Sequence, residues 1–378
     1  MSEKRYKIDP DNPAKRLHWY SKTGGIKPRS IKRTVARVCI IIGCTLFLAA
    51  AGAGGGFLYL RARGDKNLRT QIPEGEGKEA AGEGIYTTYN GKKYQYNSDI
   101  INFLCLGIDK DIPMEEKRES GSEGLADVVL LVSVNVEEDS IKMLAIPRET
   151  IVPVKVHDTG GNLVGTEKKQ ITLQYAYGQT AKESGELMTE AVSNLLYKVP
   201  IQRFCAINFQ ALPVLNDAIG GVTLTSIETV HWWNGDIYEG EEMHLMGQAA
   251  LDYVRQRDES VQGSSMGRLE RQKQYVSCYI DQAKEAVRND MTLPVTLYQQ
   301  LTEHMSTDVT LEDIAYLAPE VLGMSLSLDN IIMIPGDVGY EEEGYMEYHV
   351  QEEALKELVI QNFYEEVPEE KKTEGAEE

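Results

Sequence analysis

The chain has 378 residues, of which 42% are hydrophobic, and a formal net charge of −20. Its length is sufficient for a large core, and its acidity excludes nucleic acid and anionic lipid as partners except at a local basic site. The five cysteines include no CxxC motif and show no ligand spacing with the six histidines, so the sequence gives no indication of a zinc site.

The N-terminal region has the pattern of a membrane anchor. Residues 1–37 are basic and polar, and an uncharged apolar run follows at 38–60. At about 1.5 Å per residue, a helix of that length crosses a bilayer. A cleaved signal peptide is the alternative, but its apolar core is shorter and starts closer to the N-terminus. The positive-inside bias predicts a cytoplasmic basic tail at 1–37, a single transmembrane helix at 38–60 and the remaining chain outside the cell.

Two further segments have the composition of unfolded chain. The stretch PEGEGKEAAGEG predicts an extracellular linker at 61–98, and the acidic C-terminus predicts a disordered tail at 366–378. Both are too poor in apolar residues to bury much surface. The intervening residues, 99–365, are expected to fold as one domain.

Within 99–365, apolar runs of strand length alternate with helical periodicity. Strands are predicted at 101–108, 127–136, 141–147, 204–209, 220–226 and 331–335. The second and third of these are expected to form a hairpin. Helices are predicted at 185–197, 210–218, 243–257, 268–288 and 352–363. Strands that are apolar on both faces and separated by helices predict an α/β fold, with a mixed central β-sheet covered by helices on both faces.

The cysteines divide between the anchor and the outside part. Cys39 and Cys44 fall in the predicted transmembrane helix, whereas Cys105, Cys205 and Cys278 follow it. Each of these last three has apolar neighbours, which favours three buried thiols. One disulfide with one free thiol is the alternative.

A group of arginines stands out in this acidic chain. Within 250–272 lie Arg255, Arg257, Arg268 and Arg271. A guanidinium group binds phosphate through two hydrogen bonds at a time, so the group predicts a phosphate or pyrophosphate site. Arg255 and Arg257 converge only if their helix ends there, which the polar run after Asp258 indicates.

The second half of that group lies on the next predicted helix. Arg268, Arg271 and Gln272 share one face of it, close to a helix start whose N–H groups attract anions. The alternative is a salt-bridged surface helix end with Glu270 as the partner, and this group alone favours neither interpretation.

Charged residues also mark the ends of three predicted strands. Asp109 ends the first strand, Asp127 begins the second, and Arg148 and Glu149 follow the third. If the first two strands are antiparallel neighbours, both aspartates lie at one end of the sheet. Two carboxylates beside a diphosphate suit Mg²⁺, which takes one or two protein oxygens together with phosphate and water. The alternative is that these charges only keep the strand ends soluble.

Several motifs in this order resemble the LytR-CpsA-Psr family of bacterial cell-wall proteins. The motifs are GID (107–109), ADVVLLVSVN (126–135), IPRE (146–149), ITLQYAYG (171–178), LNDAIGGVTL (215–224), LMGQAALDYVRQRD (245–258) and GRLERQ (267–272). The resemblance implies a phosphotransferase that moves a glycopolymer, such as teichoic acid or capsule, from an undecaprenyl-pyrophosphate carrier to a peptidoglycan hydroxyl, with pyrophosphatase activity as a side reaction. It implies a single-pass protein of the cell membrane of a Gram-positive-type bacterium, with the catalytic domain outside and no nucleic acid partner.

The resemblance also implies roles for individual residues. The pyrophosphate-binding residues of the family match Arg148, Arg255, Arg257 and Arg268, with Gln272 beside them. Its magnesium-binding aspartates match Asp109 and Asp127, with Mn²⁺ as the alternative ion. By their position alone, Glu149 and Asp127 are the candidates for proton acceptor. A hydrophobic pocket for the polyprenyl tail is expected between the sheet and its covering helices.

Three positions depart from the family pattern. Leu125 replaces an arginine, Glu149 replaces an aspartate, and Ser265 replaces an aspartate. One phosphate ligand and two arginine–carboxylate pairings are thus lost or altered. A non-catalytic receptor for a polyprenyl-linked glycan is therefore one alternative function, and a membrane-bound regulator of envelope genes is another.

Overall fold

The structure is a computed structural model that describes residues 56–69, 85–109, 114, 119–121, 124–232, 235–256, 264–324, 331–340 and 346–368. For 230–232, 235 and 264–269 it describes the backbone alone. The predicted tail at 1–37, most of the predicted transmembrane helix at 38–60 and most of the predicted tail at 366–378 lie outside the described residues. Within the described part of the chain, no helix has both the length and the apolar character needed to cross a bilayer.

The strands are β1 (Tyr86–Tyr89), β2 (Lys92–Tyr96), β3 (Ile100–Ile108), β4 (Ala126–Asn135), β5 (Ser140–Ile146), β6 (Ile151–His157), β7 (Leu163–Gln170), β8 (Arg203–Asn208), β9 (Val222–Thr225), β10 (Val230–Trp232), β11 (Gly235–Ile237), β12 (Glu242–Leu245), β13 (Met305–Thr307), β14 (Ile331–Met333), β15 (Gly336–Tyr340), β16 (Met346–Val350) and β17 (Tyr364–Glu366). The helices are α1 (56–69), α2 (Ala181–Leu195), α3 (Ala211–Ala218), α4 (Gln248–Arg255), α5 (Ser264–Asn289), α6 (Leu293–Gln300), α7 (Leu311–Gly323) and α8 (Glu352–Phe363), with a 3₁₀ helix at Ile171–Tyr177.

The central sheet has six strands in the order β13-β8-β3-β4-β5-β14. β8 runs parallel to β3 and β14 parallel to β5, whereas the other neighbours pair antiparallel. The predicted mixed α/β sheet and the predicted hairpin of β4 and β5 are therefore confirmed. The carboxyl ends of β3, β5, β8 and β14 all lie at one end of the sheet, which is called the site end below.

One face of the sheet carries the main core. At alternate positions of β3, β4 and β5, the side chains of Leu104, Leu106, Leu131, Leu144 and Ile146 are only 0–6% exposed, as the two-residue period of a strand requires. The 3₁₀ helix, α2 and α8 cover this face. Each such buried side chain contributes roughly 1.5–3 kcal/mol relative to an exposed one.

Helix α2 starts four residues earlier than its apolar periodicity predicts. Thr180 caps it by accepting a hydrogen bond from the Glu183 amide at 3.1 Å, and Glu183 in turn accepts from the Gln179 amide at 2.9 Å. Gly185 faces Phe204 of β8 so closely that a Cβ atom would lie 2.1 Å from its ring. A glycine is therefore required for this close approach of helix and sheet.

The opposite face of the sheet is buried only in the half away from the site end. There Ile101, Val134 and Ile141 pack against α1 and α7. Arg203, which is 4% exposed, donates to the fully buried Asp313 at 2.7 Å and so anchors the start of α7 to β8. Asp313 also completes a capping box with Thr310. Removing one partner of such a buried pair costs about 3–5 kcal/mol.

The structure corrects the predicted linker at 61–98. The compact domain begins at Leu60, and α1 packs on α7, where a Cβ atom on Gly64 would lie 2.1 Å from the Glu312 carbonyl oxygen. Strands β1 and β2 join β17 in a three-stranded sheet, so Glu366 also belongs to the fold rather than to a tail. The burial of Leu68 and Tyr96 outweighs the polar composition of their surroundings.

Candidate active site at the end of the central sheet

The metal-site interpretation depends on antiparallel pairing of the two aspartate-bearing strands, and the structure shows this pairing. β3 and β4 are antiparallel neighbours, and the Asp109 amide donates to the Leu125 carbonyl at 3.0 Å just beyond the last pair. Val129 of β4 pairs with Ile146 of β5, which places Arg148 beyond the same end. Three chain segments thus bring Asp109, Asp127 and Arg148 to the site end.

Asp127 lies in a β-bulge. Gly107 pairs with Val128, but the next residue, Ile108, pairs with Ala126. Asp127 is therefore the extra residue of β4 and has no partner position on β3. A bulge at a sheet end redirects one side chain out of the regular alternation, and here that side chain is one of the two predicted metal ligands.

Arg148 joins two carboxylates. Its Nη1 atom lies 2.7 Å from Asp127 Oδ1, and its Nε atom lies 2.7 Å from Glu149 Oε1. The hydrogen bonds to Glu149 and then to Asp127 raise the pKa of the guanidinium. Its side chain is still 48% exposed, whereas that of Glu149 is 16% exposed. The arginine is thus both held in place and accessible to a ligand.

The backbone around Arg148 is fixed by neighbouring elements. The Thr150 hydroxyl and amide both donate to the Pro147 carbonyl, at 2.6 and 3.0 Å, which closes a tight turn. The carbonyls of Arg148 and Glu149 accept from the amides of Thr172 and Tyr348 at 3.2 and 3.0 Å. These contacts come from elements distant in sequence and hold the IPRE segment rigidly at the site end.

Arg255 lies on the other side of Asp109. It is the last residue of α4, and its guanidinium carbon is 4.6 Å from the centre of the Phe209 ring. Phe209 directly follows β8, which runs beside β3. With strands about 4.8 Å apart, the ends of β8 and β5 are roughly 14 Å apart. Asp109 and Asp127 therefore lie between two arginines.

Helix α4 is shorter than the predicted 243–257 helix, because it begins at Gln248 and ends at Arg255 with Gln256 extended. The helix end expected near Arg255 and Arg257 is thus confirmed. Arg257 itself lies outside the described residues. The small cluster of β9, β12, α4 and α5, with Val222, Leu251 and Tyr275 in its core, supports this helix end.

Arg271 does not serve as an anion ligand in this structure. Its side chain is 1% exposed. Its Nε donates to Glu228 Oε1 and its Nη1 to the Tyr253 carbonyl, both at 2.7 Å, and its Nη2 donates to the Gln256 carbonyl. It therefore caps the end of α4 and positions Arg255. The partner expected for a surface helix end, Glu270, pairs with Lys273 instead.

Gln272 contributes to the same cap. Its Nε2 donates to the Val254 carbonyl at 2.9 Å. The neighbouring Tyr253 carbonyl accepts a hydrogen bond from Arg271. Its direct contact with a pyrophosphate stays a prediction, since its amide nitrogen is already engaged here. Nothing in the local sequence distinguishes such a capping glutamine from a ligand-binding one.

Arg268 lies on α5, but the helix begins at Ser264 rather than at Arg268 as predicted. The free N–H groups of its first turn therefore precede Arg268. Position 268 shares a helix face with 271 and 272, which contact the end of α4. The backbone thus places Arg268 on the face directed towards Arg255, while its side chain is outside the described residues.

An apolar surface leads away from these charges. On the sheet face opposite the main core, a group of apolar residues near the site end is only partly buried, and this group is called the floor below. The floor consists of Cys105, Val128, Leu130, Ala145, Cys205 and Ile207. Val128 is 55% exposed and directly follows Asp127, so the floor begins beside the predicted metal ligands.

The two cysteines of the floor occupy paired positions on β3 and β8. Both are partly accessible, and among the described cysteines none forms a disulfide. Burial raises the pKa of Cys105 to about 11 and that of Cys205 to about 12. The three described cysteines are therefore thiols, although each is less buried than predicted.

A partial signal for this floor is present in the sequence. INFLCLGI is apolar on both faces, which predicts burial on both faces of β3. The structure buries Leu104 and Leu106 but leaves Cys105 on the other side partly open. Phe209 and Glu228, which support Arg255 and Arg271, carry no motif that would identify them in advance.

Comparison with known proteins finds a matching protein family, related transferases and a similar solved structure. Residues 72–363 match the model of the LytR_cpsA_psr family. The polyisoprenyl-teichoic acid–peptidoglycan teichoic acid transferase TagU of Halalkalibacterium halodurans is 27% identical over 305 residues, which make up 80% of this chain and 88% of the relative. TagU of Bacillus cereus is also 27% identical, over 69% of this chain and 77% of the relative. The crystal structure of Bacillus subtilis TagV has a TM-score of 0.52 at 22% identity and covers 69% of this chain and 96% of that one, which shows a shared fold.

Proposed function

The chain belongs to the LytR-CpsA-Psr family, and we propose that it is a membrane-anchored phosphotransferase acting outside the cell. In this proposal it moves a glycopolymer from an undecaprenyl-pyrophosphate carrier to a hydroxyl of peptidoglycan. The matching relatives are named as transferases of teichoic acid to peptidoglycan, and the chain is accordingly an enzyme of the transferase type. The carrier, the polymer, the side of the membrane and the anchor at 38–60 belong to the proposal.

The observation that supports this function best is the adjacency of Arg148, Asp127 and the floor. A held but accessible guanidinium lies 2.7 Å from a carboxylate whose next residue, Val128, is 55% exposed. An amphiphile with an anionic head and a hydrocarbon tail matches a charged site that borders an apolar surface. A polyprenyl pyrophosphate has that chemistry, whereas a soluble nucleotide would leave the floor uncovered.

Asp109 and Asp127 are the residues that would hold Mg²⁺, or Mn²⁺ in its place. Among the described residues no group of three or more His, Cys, Asp or Glu side chains could form a closed metal site. Two carboxylates at neighbouring strand ends fit an ion that completes its shell with phosphate oxygens and water. When bound, the ion would supply positive charge beside the pyrophosphate.

The arginines would neutralise the charge that develops during transfer. Arg148 would exchange a carboxylate partner for a phosphate oxygen, and Arg255 would approach from the end of β8. Arg257, Arg268 and Gln272 complete the proposed set. Cations fixed in position before the reaction stabilise the growing charge on the leaving phosphate oxygen without reorganisation. This set requires no Ser–His nucleophile.

The transfer itself breaks one bond and forms one. The acceptor hydroxyl oxygen attacks the phosphorus that carries the glycan, the bond to the bridging oxygen breaks, and undecaprenyl phosphate leaves. The hydroxyl proton passes to a base, for which Glu149 and Asp127 are the candidates by position. Glu149 Oε1 accepts a hydrogen bond from Arg148 Nε at 2.7 Å. Attack by water instead of the acceptor would give the pyrophosphatase side activity.

The test uses the full chain in lipid nanodiscs with a synthetic undecaprenyl-pyrophosphate oligosaccharide and peptidoglycan fragments. We expect Mg²⁺-dependent release of undecaprenyl phosphate together with glycan attached to the fragments. The Arg148→Ala variant serves as the inactive control. Tight binding of the donor with no turnover in the presence of Mg²⁺ would contradict the proposal and favour the non-catalytic receptor.

A further inference from the structure

A cavity of about 290 Å³ lies beside the edge strand β13. It is lined by Thr180 and Lys182 at the start of α2, Tyr298 and Thr302 on and after α6, and Ser306 of β13. None of these residues belongs to the site described above. The volume is near the lower limit of the roughly 300–1,000 Å³ typical of small-molecule sites, which suits a single sugar residue.

The backbone of β13 is open towards this cavity. The Asn208 amide donates to the His304 carbonyl at 3.0 Å, so Ser306 and Ala206 form the next hydrogen-bonded pair of this antiparallel register. Met305 and Thr307 alternate with these positions and direct their N–H and C=O groups away from β8. Among the described residues, β13 is the last strand on this side of the sheet.

The turn that precedes β13 already accepts one amide group. The Glu303 carbonyl, two residues before Met305, accepts from the Met114 amide at 3.0 Å. The next outward positions, at Met305 and Thr307, line the cavity. An edge strand of this kind binds groups that offer both an N–H and a C=O.

The remaining lining is chemically suited to a neutral sugar. Thr302 and Ser306 supply hydroxyls, and Tyr298 supplies an aromatic ring of the kind that packs on the apolar face of a pyranose. Lys182 is the one charged residue among the lining residues that the structure describes. An acetamido group would pair with the open edge, while the sugar hydroxyls would meet the polar side chains.

The cavity lies close to the site end. Met305 pairs with Ile207, and Ile207 pairs with Gly107, two residues before Asp109. With strands about 4.8 Å apart, β13 is roughly 10 Å from β3. That spacing is short enough for a sugar in the cavity and the next sugars of the same glycan strand to reach Asp109.

We propose that this cavity binds an N-acetylated sugar of the acceptor glycan and so aligns a neighbouring hydroxyl with the transferred phosphate. The proposal rests on the proposed function for its purpose, although the binding of the sugar can be measured without any transfer. It assigns recognition of the acceptor to the β13 edge and recognition of the donor to the arginines and the floor.

The test compares two tetrasaccharides with the same β-1,4-linked glucose backbone. The full chain in nanodiscs is titrated with the N-acetylglucosamine tetramer and with the glucose tetramer, which lacks acetamido groups. We expect the second to bind at least about tenfold more weakly, because it leaves the edge amides unpaired. Tyr298→Leu should weaken binding of the first about fivefold through loss of the aromatic contact, whereas Tyr238→Leu, at a tyrosine that is 59% exposed elsewhere, should not.

The kinetic counterpart separates the two proposals. In the transfer assay, Tyr298→Leu should raise KM for the acceptor and leave KM for the lipid donor unchanged. Arg148→Ala should lower kcat for transfer about 10²–10³-fold yet keep the affinity for the N-acetylglucosamine tetramer. Equal affinity for the two tetrasaccharides, or affinity that Tyr298→Leu does not alter, would overturn the cavity assignment. Selective binding by a chain that transfers nothing would support the cavity and contradict only the proposed function.

Discussion

Arg148 Nη1 lies 2.7 Å from Asp127 Oδ1, and this ion pair connects the end of β5 to the bulge at the start of β4. One carboxylate is thus both the predicted metal ligand and the partner of a predicted phosphate ligand. A divalent cation bound by Asp127 would compete with Arg148 for that carboxylate. Binding of the cation and release of the guanidinium for phosphate are therefore expected to be coupled.

Replacing Arg148 should remove transition-state stabilisation rather than fold stability. We expect Arg148→Ala to lower kcat about 10²–10³-fold, as the loss of a charge-stabilising donor does in other enzymes. Arg148→Lys should recover only part of this loss, because an ammonium group does not reproduce the two-pronged contact. Steady-state kinetics of the transfer reaction measure both. A lysine variant with wild-type kcat would exclude the bidentate role.

Replacing Asp127 should alter the metal dependence. Asp127→Asn removes the negative charge but keeps an oxygen that can accept from Arg148, so the Mg²⁺ concentration for half-maximal activity should rise about tenfold or more. Asp139→Asn is the matched control, because Asp139 lies in the turn between β4 and β5, at the other end of the sheet. Asp139 has a positive φ of 49°, and asparagine tolerates this backbone conformation. An identical Mg²⁺ dependence in the two variants would argue against Asp127 as a ligand.

Arg271 should contribute to the stability of the fold and, because it positions Arg255, to the activity of the enzyme. Arg271→Met leaves the carbonyls of Tyr253 and Gln256 without their donor, and we expect a loss of about 2–4 kcal/mol in the free energy of unfolding. Lys273→Met, on the same helix but 50% exposed, should change it by less than about 1 kcal/mol. Denaturant unfolding measures both values. Equal stability of the two variants would show that the cap is not needed for the end of α4.

The thiols of the floor offer a test of the polyprenyl surface. Because the pKa of Cys105 is raised to about 11 and that of Cys205 to about 12, both are protonated near neutral pH. Maleimide reacts with the thiolate, so their labelling rates should rise about tenfold per pH unit between roughly pH 7 and 10. Peptide mapping by mass spectrometry gives the rate for each residue.

Undecaprenyl phosphate should slow the labelling of these two thiols by covering the floor. Cys278 belongs to the separate cluster around α4 and α5 and provides an internal control. Protection of Cys105 and Cys205 with unchanged labelling of Cys278 is the expected result. Equal labelling of all three with and without the lipid would place the hydrocarbon chain elsewhere.

Much of the fold was predictable because it follows from local patterns. The apolar runs of β3, β4 and β5 gave strand boundaries within one or two residues, and antiparallel pairing of β3 and β4 was enough to bring Asp109 and Asp127 together. The strand-end position of Arg148 followed from the same pattern. The sequence did not predict the bulge at Asp127, because a one-residue irregularity in pairing has no distinct hydrophobic period.

Other features depend on contacts between distant residues. Arg271 has the same sequence signature as a phosphate-binding arginine, yet the Tyr253 and Gln256 carbonyls and Glu228 surround it. The segment predicted as a linker contains Leu68, which is buried by α7 and the sheet. Composition describes what a segment can bury alone, and these residues are buried by elements that lie far away in the chain.

The most direct test of the central claim is the position of a bound pyrophosphate. A crystal structure of the protein with Mg²⁺ and a short polyprenyl pyrophosphate should show the phosphate oxygens within hydrogen-bond distance of Arg148 and Arg255. The hydrocarbon chain should lie over Cys105 and Leu130. A diphosphate held away from this end of the sheet, with Arg148 still paired to Asp127 and the floor uncovered, would contradict the account.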